Sequence, residues 1–211
     1  RARRGYTPGV AAAAPVEAPP PAAAEAAAGV SAELRRALES ALPVPGLTLR
    51  GMAAPFKGTA DKASVLVIVQ ASGRDLLFTP KGGRFEDTVE WAVVALDGFG
   101  RPQGGTRATV SMRLSQRSAA AVERMGVVFQ MRLDLAPGSY QLRIAARDGG
   151  SGVVGAVHYE LDVPDFAKLP IALSGIVLSA EYAGQVPSPR PDPELDRWLP
   201  EGMSELLIHI G

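Results

Sequence analysis

Across residues 127–147 apolar and polar side chains alternate in two runs, joined at Leu135-Ala136-Pro137-Gly138-Ser139-Tyr140. Val127, Phe129, Met131, Leu133 and Leu135 share one face, and Val128, Gln130, Arg132 and Asp134 share the other. Beyond the Pro-Gly turn, Tyr140, Leu142, Ile144 and Ala146 resume the apolar face, while Gln141, Arg143 and Arg147 keep the other polar. A period of two with one apolar face is what a half-buried antiparallel strand requires.

The same alternation recurs between turn residues over most of the chain. It predicts strands at Leu47–Phe56, Ser64–Gln70, Leu76–Phe78, Thr88–Leu96, Thr106–Leu114, Val153–Val163 and Ile171–Leu178. Leu66 and Ile68 make the second face of Ser64–Gln70 apolar beside Val65, Val67 and Val69, so cover is expected on both sides. Val89, Trp91, Val93 and Ala95 form one face of Thr88–Leu96; Val110, Met112 and Leu114 point inward in the next strand. Val153, Val157, Tyr159, Leu161 and Val163 do so in Val153–Val163. Lys81-Gly82-Gly83, Asp97-Gly98-Phe99-Gly100 and Asp148-Gly149-Gly150 supply turns. Two short helices interrupt the pattern. Ser31 caps the first, which carries Leu34, Leu38, Ala41 and Leu42 on one face and ends at Pro43 and Pro45. The second covers residues 117–125.

Many short strands with little helix between them mean a sandwich or barrel, not a βαβ fold. Trp91 on a middle strand favours the sandwich, as does Tyr140, which resembles the tyrosine corner of immunoglobulin-like domains. The expected fold is therefore all-β: an immunoglobulin-like antiparallel β-sandwich with a short N-terminal helix, and with Trp91, Phe129 and Leu142 in its core. Residues 31–183 form this domain. Residues 7–30, almost wholly Ala, Pro, Gly and Glu, cannot offset their ordering entropy and are expected to be a disordered, extended linker. With the start of the chain they make a first segment, 1–30. Residues 184–211 make a Pro-rich tail with a short helix or strand, including the apolar run Leu206–Ile210.

Composition narrows the function. The 22 basic and 22 acidic residues balance, and aromatics make up only 6%, which argues against nucleic acid as a partner. The chain has no cysteine, which removes disulfides, thiol nucleophiles and Cys-ligated metals. No apolar run reaches the roughly 18 residues that a membrane-spanning helix needs. The opening Arg1-Ala2-Arg3-Arg4-Gly5-Tyr6 has no compact apolar region after it, so it reads as part of a longer polypeptide and not as a signal peptide.

Candidate chemistry is sparse. His158, with Glu160 and Asp162 on the same strand face, could hold a metal, but the reading favoured is an exposed strand residue. His209 stands alone. Asp97, Asp148, Asp162 and Asp165 lie near strand ends, where loops of some sandwiches hold calcium, yet no Asp-x-Asp spacing supports that. Asp148-Gly149-Gly150-Ser151-Gly152 and Lys81-Gly82-Gly83 read as hairpin loops, not phosphate cradles. No Ser elbow is present. Arg132 and Arg143, with Asp134 and Arg147 nearby, are expected to point outward from neighbouring strands, as a solvated face of cross-strand charge pairs or as a contact surface. Phe99, Tyr182 and Trp198 are candidate aromatics for stacking on sugars. No residue is assigned to catalysis, cofactor or metal.

The chain resembles bacterial von Willebrand factor A-related domain proteins in the β-rich region that follows the A domain. The likeness rests on Arg1-Ala2-Arg3-Arg4-Gly5-Tyr6-Thr7-Pro8, similar to the A domain's closing strand, and on Pro137-Gly138-Ser139-Tyr140-Gln141-Leu142-Arg143. Val163-Pro164-Asp165-Phe166 and Leu173-Ser174-Gly175-Ile176-Val177-Leu178 complete it, so that it covers residues 1–8 and 31–180. The Asp-x-Ser-x-Ser metal site of A domains does not occur here and is not carried over. The resemblance implies an exported protein, periplasmic or at the cell surface. A well-patterned sandwich without a catalytic constellation, set in that context, is expected to be a non-catalytic structural or protein-binding module that positions the A domain or contacts a surface protein. A carbohydrate-binding sandwich is the alternative. Neither reading calls for a cofactor, and the oligomeric state is left open.

Overall fold

The computed structural model describes residues 29–59, 61–168 and 171–177. Helix α1 (Ala32–Glu39) and strand β1 (Val44–Pro45) come first, followed by β2 (Leu49–Lys57) and β3 (Ala63–Ala71). A 3-10 turn (Gly73–Asp75) leads to β4 (Thr79–Lys81), β5 (Arg84–Leu96) and β6 (Pro102–Leu114). Helix α2 (Gln116–Met125) then leads to β7 (Val127–Leu135), β8 (Gly138–Asp148) and β9 (Val154–Val163). Residues 1–28, the Leu206–Ile210 run, His209, Tyr182 and Trp198 lie outside the described residues.

All the strands pair antiparallel, in two sheets. The larger runs β1-β9-β8-β5, with β6 on the far side of β5 and β4 beside the start of β5; the smaller is β2-β3-β7. Together they form an immunoglobulin-like sandwich. In this arrangement the Pro-Gly turn is not a hairpin. β7 pairs with β3, whereas β8 pairs with β5 and β9, so the turn carries the chain from one sheet to the other. That corrects the expectation of neighbouring strands for Arg132 and Arg143: they occupy the outer faces of opposite sheets and cannot pair across strands.

The inward faces meet as the alternation requires. Phe129 and Leu142 are fully buried and Trp91 is 4% exposed. Trp91 of β5 stacks at a tilt on Phe129 of β7, with ring centroids 4.9 Å apart, so one aromatic pair joins the two sheets at the centre.

A second, smaller core lies outside the large sheet. Leu34, Ala37 and Leu38 of α1 pack on Ala92, Val94, Leu96, Ala145 and Ala156. An eight-residue helix is too short to stand alone. It is held at both ends: Ser31 Oγ accepts from Leu34 N at 3.4 Å, and Arg143 Nη1 donates to the carbonyls of Leu38 (3.1 Å) and Glu39 (3.0 Å). With its far face covered, β5 is buried on both sides from Trp91 to Leu96. Cover on both sides of β3 is uneven: Leu66 is buried and Ile68 half-buried.

Several boundaries differ from the pattern reading. Helix α1 stops at Glu39, so Ala41 and Leu42 are not on it, and Leu42 is exposed. Leu76–Phe78 is not a strand; Leu76 is buried in the core behind the 3-10 turn, Phe78 packs against it half-buried, and pairing begins at Thr79. β5 starts four residues before Thr88, because Gly82 and Gly83, both at positive φ, close a tight β4–β5 hairpin. Val153 precedes β9 and is exposed. Residues 171–177 do not form a strand. Gly175 N donates to Pro55 O at 2.7 Å on the free edge of β2, but Pro55 has no N–H to return, so no ladder propagates.

Candidate functional site

One end of the sandwich gathers the turn after β2, the β5–β6 loop, the Pro137 corner and the residues that follow β9. Between the turn after β2, the Pro137 corner and the residues that follow β9 lies a cavity of about 200 Å³, lined on its apolar side by Ala63, Pro137, Pro164 and Phe166 and on its polar side by Lys57, Asp61, Lys62 and Asp165. Tyr140 fixes the corner from inside, its hydroxyl donating to Ala136 O at 2.9 Å. Burial, and then the Asp97 charge, push that phenol up from its ordinary value and keep it a donor.

Two carboxylates at this end, Asp97 and Asp165, are already committed. Asp97 accepts from the backbone of Phe99 (2.9 Å) and Arg101 (3.0 Å), from Arg101 Nε (3.0 Å) and from Gln103 Nε2 (2.9 Å). These bonds, led by the Arg101 backbone, hold it below the usual carboxylate range. Asp165 closes the turn after β9 by accepting from Ala167 N and Lys168 N, and Lys168 Nζ sits 2.9 Å away. The Lys168 bond comes first among the causes that lower it. By contrast, no ion pair among the described residues holds Lys57 or Lys62. The cavity therefore offers an apolar wall beside the ammonium groups of Lys57 and Lys62 and the Asp61 carboxylate, none of them held in an ion pair among the described residues.

Beside it, residues 171–177 lie along the β2 edge, with Gly175 against Ala54 and Pro55. Ile171 and Leu173 are each 87% exposed and Ile176 is 77% exposed. Three large aliphatic side chains are thus exposed within six residues, and where such side chains adjoin they make the apolar surface that marks contact with another macromolecule. Phe99, 84% exposed at the tip of the β5–β6 loop, carries the Arg101 guanidinium over its ring at 5.0 Å.

The other sequence candidates do not converge. His158 is half-buried, not exposed as expected. Burial comes first among the causes that lower its pKa, then the Arg143 charge, against the opposing pull of Glu160. Glu160 bonds Gln141 at 2.9 Å and Asp162 bonds Ser139 at 2.6 Å, so both carboxylates turn to β8. Among the described residues no group of three or more His, Asp or Glu could hold a metal. Asp148 lies at the far end of β8 from Asp97, Asp162 and Asp165, so these four do not make one loop site. Arg132 runs along its strand to Asp134 at 3.2 Å, and Arg143 caps α1.

The pattern reading missed one residue pair. Asp87 and Asp148 are buried together where β5 begins and β8 ends. The signal was present: Asp87 continues the inward register of Val89, Trp91, Val93 and Ala95, which places a carboxyl on the core face. Starting the strand at Thr88 hid it.

A scan against protein-family models gives no match for this chain, and a search of curated proteins gives none. Among the described residues, no helix is long and apolar enough to cross a membrane.

Proposed function

We propose that the chain is a non-catalytic protein-binding module of an exported protein of the von Willebrand factor A-related kind, with the upstream A-type domain as its first partner. The exposed aliphatic row Ile171, Leu173 and Ile176 carries this reading, since such a surface is stable in water chiefly when a partner covers it. The adjoining cavity, with Lys57 and Lys62 at its rim, suits an acidic side chain of that partner. The test is titration of the separately produced A-type domain against the chain and against the triple variant Ile171→Ser, Leu173→Ser, Ile176→Ser. Binding lost in the variant, with its melting temperature kept, supports the reading; equal binding by both, or by neither, rejects it.

Phe99 motivates a second reading. A flat ring with one face free and a guanidinium over the other is a surface on which sugars stack. Glycan-array binding that Phe99→Ala abolishes would favour carbohydrate recognition, and a flat array would dismiss it.

A further inference from the structure

Asp148 ends β8 at 0% exposure, and Asp87, one strand over on β5, is 7% exposed. Their acceptors are almost fully used. Asp87 Oδ1 accepts from Thr88 N at 2.7 Å and Gly150 N at 3.2 Å. Asp148 Oδ1 accepts from Leu77 N at 3.4 Å, and its Oδ2 accepts from Ser151 N at 2.6 Å and from the Ser151 hydroxyl. One buried oxygen, Asp87 Oδ2, has no N–H or O–H donor of the protein to accept from. The two carboxyl groups sit against one loop, Gly150 N donating to Asp87 and Ser151 N to Asp148. A buried carboxyl oxygen without a donor is satisfied when it carries the proton itself and gives it to a neighbouring acceptor.

We propose that Asp87 and Asp148 share a single proton, and that this proton is a pH-sensitive latch holding the β8–β9 loop and the Leu77 segment against β5. The pieces it joins are close-fitted. Gly149 N donates to Thr88 O at 2.7 Å, and a Cβ on Gly149 or Gly150 would run into the carbonyl of Thr88 or Leu77. Without the proton, two like charges face each other in a site with no room to separate.

Among the described residues no cation offsets them. Glu86, Glu90, Arg113 and Arg147 occupy alternate positions and project from the other face of the sheet, where Glu86 pairs with Lys81 and Arg113, and Arg147 with Glu90 and Glu33. On the segment that packs over the pair, Asp75 accepts from Thr48 N and Arg74 is exposed; on α2, Glu123 and Arg124 are exposed. The loop 149–153 contains no charged residue. A divalent ion is a poor fit, since its coordination would compete with five N–H and O–H donors already in place.

Burial, followed by the bond to Asp148 and its charge, raises the Asp87 carboxyl to about 7. Burial also works to raise Asp148, but the bonds from Asp87, Ser151 and Leu77 outweigh it and hold that group below the usual range. In the unfolded chain both lose their protons near pH 4. Between about pH 4 and 7 the folded state thus binds more protons, so the stability owed to Asp87 is complete at the acid end and falls as pH rises. Asp148 acts in the opposite sense, and only in the acid range. His158, with its lowered pKa, adds a rising slope up to about pH 6.5, so the comparison is made in a His158→Gln background.

The test is urea denaturation from pH 4 to 8 of that background with and without Asp87→Asn. The amide keeps the Oδ1 acceptor and replaces the shared proton with a permanent donor. The midpoints are expected to coincide near pH 4 and to diverge through pH 7, with the Asn variant the more stable at pH 8. Asp148→Asn, which leaves the Ser151 donors without an acceptor, lowers the midpoint at every pH. Parallel profiles for Asp and Asn at position 87 overturn the proposal. So does stabilisation by millimolar Ca²⁺ or Mg²⁺ at pH 8 that the Asn variant lacks, which would make the pair a cation site. Should Asp87→Asn not fold, the ¹³C shifts of the Asp carboxyls in the unmodified chain decide. One carboxyl titrating near 7, about one-tenth ionised at pH 6 and nine-tenths at pH 8, supports the latch. Titration of all of them below pH 5 refutes it.

Discussion

Trp91 is the sharpest probe of how the two sheets hold together. Its ring is 4% exposed and meets Phe129 from the opposite sheet at 4.9 Å, yet its indole Nε1–H, also buried, has no acceptor. Truncation to Ala removes the largest core side chain and leaves a cavity, a loss of about 3–5 kcal/mol. Trp91→Phe is a different perturbation. It gives up part of the indole's packing but also removes an unsatisfied buried donor, whose burial costs about 1–3 kcal/mol. The two effects oppose each other, so Trp91→Phe is expected to lose less than about 2 kcal/mol, well short of the Ala variant.

A double-mutant cycle with Phe129→Leu isolates the ring–ring contact, expected to couple by about 0.5–1.5 kcal/mol. Urea denaturation followed by far-UV circular dichroism is the assay, because the substitution removes a fluorophore. A Phe variant as unstable as the Ala variant would show that the indole N–H is satisfied in solution. A coupling energy of zero would show that the sheets do not meet at this pair.

Other expectations follow from single contacts. Tyr140→Phe loses only the bond to Ala136 O, and since Ala136 is exposed its carbonyl regains water; thermal denaturation should show a loss of about 1 kcal/mol. Arg143→Met frees the last carbonyls of α1, so amide exchange at residues 32–39 should accelerate while the midpoint of the sandwich stays within about 1 kcal/mol. Asp97 is held below the usual carboxylate range, so its contribution is present above about pH 4 and is lost as pH falls through its folded value. Asp97→Asn should flatten the acid limb of the melting-temperature profile, and an unchanged limb would mean that Asp97 titrates normally.

Period-two alternation identified β2, β3 and β5 to β9 because each has one face on a common core, and it did not find β1 and β4, which are two and three residues long and bury no residue in that core. On β3 and β5 the faces read from the pattern are those that meet the core, Val65, Val67 and Val69 on the one and Val89, Trp91, Val93 and Ala95 on the other, although α1 also covers the outer side of β5. Pairing partners were not legible. The runs on either side of Pro137 look like a hairpin because an inter-sheet corner and a hairpin need the same turn chemistry; the pairing of β7 with β3 and of β8 with β5 and β9 distinguishes them, and the bond from Tyr140 back to Ala136 closes the corner. Ile171–Leu178 reads as a strand from its side chains, while the missing N–H of Pro55 on the opposite edge prevents the ladder. The carboxyl pair escaped for a third reason: Asp87 and Asp148 lie 61 positions apart, and they meet only through the β5–β8 register.

Coverage of the two outer faces also bears on where a partner can sit. α1 occupies the middle of the large sheet's outer face, tied at one end to Glu90 through Ser31 N and at the other to Arg143. A protein docking there would have to displace a packed apolar layer and leave the guanidinium of Arg143 without its carbonyl acceptors. The outer side of β2-β3-β7 has no described helix over it, and the chain leaving β9 passes along the β2 edge with its aliphatic side chains outward. Cavity, lysines and exposed row thus adjoin one another at one edge of the small sheet, away from α1 and at the other end of β8 from the Asp87–Asp148 pair. Substitutions in the row should therefore change binding and leave the pH profile untouched, while Asp87→Asn should do the reverse. A variant of either kind that moved both properties would mean that the two ends of the sandwich are coupled through β8.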